Sequence, residues 1–209
     1  MRHVFALLLA IAFLVIGTSP ALALKPVTRE GWKVGVAYGP GQARIKGSDS
    51  LDIGALKGLA QSIRVGRMFG GRFLVGYEHQ AWVREQGFHD LKVRAGTQLE
   101  ALGVTTFLAK PGSAWGGLYV AVGGGRAHCR LTFLEPLAPG ESAIGDTYEV
   151  VFMQDEFGWG GYGALGYDMQ ITRSFAAGLM ASYNYLDIGG GIYDTVKFTP
   201  IVANLNWSW

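Results

Sequence analysis

The sequence predicts an all-β chain, an eight-stranded antiparallel barrel that crosses a membrane, and three observations lead there. The 209 residues are 49% hydrophobic and only 16% charged, with a mean hydropathy of +0.21. Beyond residue 23 no apolar run approaches the ~20 residues of a spanning helix. The same region divides into eight runs of alternating apolar and polar residues separated by turn residues. A backbone in lipid must satisfy its own hydrogen bonds, so a chain without spanning helices crosses only as a closed barrel.

Composition removes other classes. The chain is too apolar and too weakly charged for disorder. The single Cys129 rules out a disulfide scaffold. With net charge +2 and no Lys/Arg run, a nucleic-acid partner is not expected.

The first element is an address. Arg2 precedes the apolar run Val4 to Ile16, and Ala21-Leu22-Ala23 supplies a small-residue cleavage site. Residues 1–23 read as a secretory signal peptide, and 24–209 as the barrel domain. Removing the leader takes Arg2 from the 18 basic residues and none of the 16 acidic ones, leaving 17 against 16.

The strands follow in order. Strand one, about 31–42, carries Trp32, Val34, Val36 and Tyr38 on one parity, and strand two, about 60–69, carries Ile63, Val65 and Phe69. Gly70-Gly71 is a tight turn. Strand three, 72–84, sets Phe73, Val75, Tyr77, Ala81 and Val83 against Arg72, Glu78, Gln80 and Arg84. Strand four, 90–109, sets Leu91, Val93, Ala95, Leu99, Ala101 and Phe107 against Lys92, Arg94, Gln98 and Glu100.

Lys110-Pro111-Gly112-Ser113 turns the chain into strand five, 114–133. Its apolar parity moves from Leu118, Val120 and Val122 to Ala127, Leu131 and Phe133, which predicts a bulge at Gly123-Gly124-Gly125. Strand six, about 150–168, is glycine-rich and ends at Tyr167-Asp168. Strand seven, 174–187, carries Phe175, Leu179, Ala181, Tyr183 and Tyr185, and strand eight, 195–209, carries Ile201, Ala203, Leu205, Trp207 and Trp209.

Turns near 70–71, 110–113 and 169–173 are short, whereas the connectors 43–59 and 134–149 are long. That alternation is the outer-membrane pattern, with short turns and both termini on the periplasmic side. Tyr and Trp at strand ends resemble interfacial girdles and place the apolar parity toward lipid. The polar parity then lines the lumen, which in an eight-stranded barrel is just wide enough for side chains to fill. Arg64, Glu78, Lys92, Arg94, Glu100 and Asp168 are the expected lumen network.

The segment Gly163-Ala164-Leu165-Gly166-Tyr167-Asp168-Met169-Gln170-Ile171-Thr172, continued by Ala181-Ser182-Tyr183-Asn184-Tyr185-Leu186-Asp187-Ile188-Gly189, resembles the last hairpin of small outer-membrane barrels. That family includes the transmembrane domain of outer-membrane protein A, the outer-membrane protein X group and opacity-type surface proteins. Asn204-Leu205-Asn206-Trp207-Ser208-Trp209 resembles the terminal aromatic signal read by the barrel-assembly machinery, with Leu205, Trp207 and Trp209 as its apolar positions and Trp209 where Phe is usual. The resemblance implies a bacterial outer-membrane location, with membrane lipid and the assembly machinery as partners. It implies little about activity.

Signals for chemistry are weak. Gly161-x-Gly163-x-x-Gly166 with Asp187 has the spacing of a dinucleotide fingerprint, but an alternating strand follows where the motif requires a helix. His79, His89 and His128 lack metal-ligand spacing. No strand places Ser two residues from His on one face, although a cross-strand pair such as Ser62 with a histidine stays open. Cys129 shares parity with Leu131 and reads as a lipid-facing small hydrophobe.

No catalytic, cofactor or metal site is therefore expected. The leading expectation is a structural or surface-interaction protein with a plugged lumen and a partner at the loops 43–59 and 134–149. A small porin-like channel is the alternative. A lipid-modifying enzyme and a soluble lipocalin-like binder, which would turn its apolar parity inward, follow.

Overall fold

The computed structural model describes residues 29–47, 52–88, 91–113, 115–136, 148–189 and 193–209. The expected leader, 1–23, and residues 137–147 of the expected loop 134–149 lie outside them. The strands are β1 (Gly31–Lys46), β2 (Asp52–Phe69), β3 (Phe73–Phe88), β4 (Leu91–Phe107), β5 (Leu118–Pro136), β6 (Tyr148–Gln170), β7 (Phe175–Asp187) and β8 (Thr195–Ser208). Each pairs antiparallel with the next, and β8 pairs with β1, closing the ring.

Paired residues lead from Val36 through Ile63, His79, Glu100, Arg126, Trp159, Asp187 and Thr195 back to β1 at Lys46, ten residues further on. With ~4.8 Å between strands and ~3.3 Å per residue, that stagger tilts the strands by roughly 40°, and each step of the ladder climbs about 3 Å.

At one end, the turn end, β2 and β3 are joined through Gly70 and Gly71 at φ 57 and 64. Both central residues of a type I′ turn need positive φ, and only glycine adopts it without a Cβ penalty. At the other end, the loop end, several strands outrun the expectation. Residues 43–46 and 52–59, read as loop, continue β1 and β2. A register shift at Ala43/Ile45 accommodates the change there.

The expected bulge at Gly123-Gly124-Gly125 is absent. Pairing runs unbroken through all three glycines on both sides, and the shift in this hairpin lies at Phe133/Leu134. With no bulge, the face does not switch. Val120 and Val122 point out, while Ala127 and Cys129 are buried inside the barrel. Cys129 is therefore not lipid-facing; its thiol lies 3.3 Å from Thr97 Oγ1 in the interior.

The outer wall is apolar around the ring. Val36, Ile63, Val75, Val104, Val122, Leu165, Leu179 and Ile201 are all exposed on it. Aromatics gather at the turn end, where Trp32, Phe69, Phe73, Trp207 and Trp209 are exposed. Apolar exposure on this scale is unlike a water-soluble surface. It is the wall expected of a barrel solvated by lipid, and not of a lipocalin-like binder.

Candidate functional site: the filled lumen and the loop-end wall

The interior is built in tiers. Nearest the turn end, Lys33 on β1 donates from Nζ to Asp168 Oδ2 on β6 at 2.6 Å. Asn204 and Asn206 on β8 donate to the other oxygen, Oδ1, at 2.9 and 3.1 Å. One carboxylate thus ties the first strand to the last. Arg29 adds a cation over the Phe107 ring and donates to the Gly116 carbonyl at the same mouth.

The second tier centres on Glu78 of β3. Arg64 Nε donates to Oε2 at 2.8 Å and Nη2 to Oε1 at 3.1 Å, the forked geometry that makes Arg–carboxylate pairs strong. Tyr162 Oη donates to Oε2 at 2.8 Å, Gln80 Nε2 to Oε1 at 2.9 Å and Ser62 Oγ to Oε1 at 3.3 Å. The carboxylate is buried and accepts from four residues. Glycine makes this possible. A Cβ on Gly103 would sit 2.4 Å from the Tyr162 hydroxyl, and one on Gly123 2.5 Å from its ring.

Above Glu78 the network thins. Ser182 donates to Gln80 Oε1 at 3.0 Å, and Asn184 donates to Ser182 Oγ at 3.1 Å. Then the filling turns apolar. Trp82, Leu99, Leu186, Val196, Phe198 and Val202 form a continuous buried cluster toward the loop end. Trp82 is 1% exposed. Its indole Nε1 donates to the Gly41 carbonyl at 3.3 Å, and a Cβ on Gly58 would lie 2.7 Å from its ring. A cavity of about 20 Å³ at the turn-end mouth, beside Lys33 and Asp168, has room for a water or two.

The structure divides the six expected lumen residues. Arg64, Glu78 and Asp168 are inside. Lys92, Arg94 and Glu100 are not; all three lie on the outer parity of β4. Register is the reason. Glu78 pairs with Ala101 and Gln80 with Leu99, and residues directly opposite share a face, so the odd-numbered positions of β4 point inward. Leu99, 0% exposed, and Ala101 are therefore lumen filling, not lipid contacts. Arg94 instead pairs with Glu85, with Nε 2.6 Å from Oε1, and the Lys92 ammonium sits 3.9 Å from the Tyr148 ring centroid.

Trp82, Tyr162 and Lys33 went unread as lumen residues. The missed signal was Trp82 on the same parity as Glu78 and Gln80, an aromatic that belongs inside. Ser62 pairs with no histidine, since its hydroxyl points inward to Glu78. Leu205, Trp207 and Trp209 are exposed on the outer wall of the last strand.

The loop-end wall over β5 and β6 carries a second polar group. Asp155 accepts from Arg130 Nε at 2.7 Å and Nη2 at 3.1 Å, and lies 2.9 Å from His128 Nε2. His128 stacks on Phe157 with centroids 4.5 Å apart, and Arg126 lies over the same ring. Among the described residues no cluster of His, Cys, Asp or Glu is arranged to hold a metal ion.

No protein-family model and no curated protein matches this chain. Solved structures do. The attachment invasion locus protein Ail of Yersinia pestis superposes with a TM-score of 0.53 at 14% identity, over 86% of this chain and 99% of that one. Ail in complex with the heparin analogue sucrose octasulfate gives 0.52 at 15% identity, with the same 86% and 99% covered. Neisserial surface protein A gives 0.47 at 15% identity, over 86% of this chain and 97% of that one. The chain has the fold of the small eight-stranded outer-membrane β-barrels.

Proposed function

We propose that this chain is a non-enzymatic bacterial outer-membrane protein, a closed barrel that holds its loop end at the cell surface as an interaction surface. The observation that carries the reading is the filled lumen, with two ion-paired tiers below and an apolar tier above. A conducting path needs a continuous polar lining, and Trp82, Leu99, Leu186 and Phe198 interrupt it. What remains for function is the part that projects, and rigid scaffolds commonly carry function in their loops.

In this reading residues 1–23 direct export and are cleaved. Leu205, Trp207 and Trp209 serve as the signal for the barrel-assembly machinery. The working surface is the loop end of β1 and β2, within 43–59, and the connector 134–149. Arg44, Lys46, Lys57 and Lys197 stand at the loop ends of β1, β2 and β8. An anionic surface ligand is therefore the first class to screen, and sucrose octasulfate, bound by Ail, is a ready probe.

The direct test is current recording on residues 24–209 folded into a planar bilayer, with insertion confirmed by protease protection. The wild-type chain is expected to be silent. Discrete, reproducible current steps would replace this reading with the porin-like one.

The membrane part is tested separately. Leu165 is exposed on the outer wall, paired with Val120 and Ala181. Leu165→Arg places a charge where lipid is expected, at about 2–4 kcal/mol near the midplane. Urea unfolding in vesicles should show a loss of that size. An unchanged midpoint would place Leu165 in water.

A further inference from the structure

The outer wall is apolar on most strands, but not over the middle of β3 to β5. There His79, Glu100 and Arg126 face outward as direct cross-strand neighbours, flanked on β4 by Gln98. Glu100 and Arg126 are both exposed.

They do not belong to the rim. Leu102 is the outward position just below Glu100 on β4. Trp159 is the direct partner of Arg126 on β6, two ladder steps beyond Glu100. At about 3 Å per step, Glu100 lies roughly 6 Å below Trp159. Val83 stands opposite Gly96, four residues further up β4. The carboxylate is therefore overtopped by exposed apolar side chains and sits inside the band that faces lipid.

Among the described residues, no side chain hydrogen-bonds or ion-pairs with Glu100. Among the same residues Arg126 forms no ion pair and lies over the Phe157 ring, 4.5 Å from the centroid. Elsewhere on this wall, outward charges pair within the chain, Arg94 with Glu85 and Arg130 with Asp155, and Lys92 lies over the Tyr148 ring. An unpartnered carboxylate within the apolar band is costly, and such groups in membrane proteins are normally covered.

We propose that a second copy of this chain covers them, in a two-fold dimer through the wall of β3–β6 in which Glu100 of each copy meets Arg126 of the other. The pair is self-complementary. One acid and one base stand side by side, and a two-fold axis between the copies brings each onto its opposite. A phosphorylated lipid headgroup would match Arg126 and leave Glu100 facing like charge.

Shape agrees with charge. Leu102 and Trp159 protrude most among the wall's apolar residues, at 75% and 74% exposed. Between them the backbone is bare at Gly124 and Gly161, which pair with each other. A protruding side chain from one copy can lie over bare backbone of the other.

The inference rests on the membrane reading above, and its test separates the two. The mature chain carrying Gly124→Cys is reconstituted in vesicles of an uncharged lipid, and disulfide-linked dimer is scored on a gel. Cys129 is buried inside the barrel and does not compete. Folding of every variant is checked by its heat-dependent gel shift.

The parent should cross-link. Glu100→Arg alone, or Arg126→Glu alone, should lower the dimer at least ten-fold by placing like charges opposite each other. Mixing the two variants before reconstitution should restore it, because each mismatch then meets its opposite. Where Glu100→Arg blocks insertion, Glu100→Gln and Arg126→Gln serve, with a partial loss expected from each. An inserted chain that stays monomeric, or a dimer indifferent to these changes, overturns the proposal. So does a dimer that appears only when phosphorylated lipid is added. A chain that fails to enter the vesicles overturns the membrane reading as well.

Discussion

Replacing Arg64 by Leu should be the most damaging single change in the barrel. Glu78 would keep its burial and its neutral donors, Tyr162, Gln80 and Ser62, but lose the one cation that pairs with it among the described residues. A buried carboxylate stripped of its partner typically costs about 3–5 kcal/mol. Urea unfolding of the reconstituted chain should show a loss of that order. The double variant Arg64→Leu with Glu78→Leu should recover much of it, since the desolvation penalty leaves with the charges. A single variant as stable as the wild type would mean that water reaches Glu78.

Trp82→Ala should come second, and it should open what Arg64→Leu leaves shut. The indole fills the space over Gly58 between Gly41 and the apolar tier, so its removal leaves a large void. Core aromatic truncations cost about 3–5 kcal/mol. A void at the top of a polar interior also invites water. Combined with Phe198→Ala, the change should produce brief current steps in a bilayer that is silent with the wild-type chain. Silence from the folded double variant would assign the seal to the Glu78 tier instead.

The number of strands and their connectivity were legible in the sequence, because alternation and turn residues report period directly. Which face was which was legible only in part. β4 shows why. Its odd positions, Ala95, Leu99, Ala101 and Phe107, look like a lipid face, and its even positions carry Lys92, Arg94 and Glu100. Yet two even positions toward the turn end, Leu102 and Val104, are bulkier than the alanines of the odd set. A narrow lumen needs small apolar filling as well as charge, so apolar character alone does not mark the outside. The pairing of Glu78 with Ala101 decides the matter, and pairing is a property of two strands.

The site was split in the same way. Arg64 and Glu78 lie on β2 and β3, where the two-glycine turn fixes register and the faces could be read. Asp168 lies on β6, near the short turn of residues 171–174 into β7. The charges of β4 had no such anchor. β5 compounded the error, since Ala127 and Cys129 resemble an outward run and a bulge was the simplest way to keep them there. Three consecutive glycines are instead continuous strand; Gly123 makes room for Tyr162, and Gly124 leaves the outer wall bare.

The link between Lys33, Asp168 and the two asparagines of β8 bears on how the chain closes. Lys33 and Asp168 are 135 residues apart in sequence, and Asn204 and Asn206 arrive last of all. Their cluster can form only when the final strand has met the first. A slip of β8 by one residue would turn both asparagines outward and set Leu205 beside the carboxylate. Asp168 thus works as a register check on ring closure, scoring the final strand's alignment at the moment the seam is made. Contacts of such long sequence separation form late and slowly, so a barrel carrying Asp168→Leu should pass through its early pairing steps at the normal rate and falter at the seam.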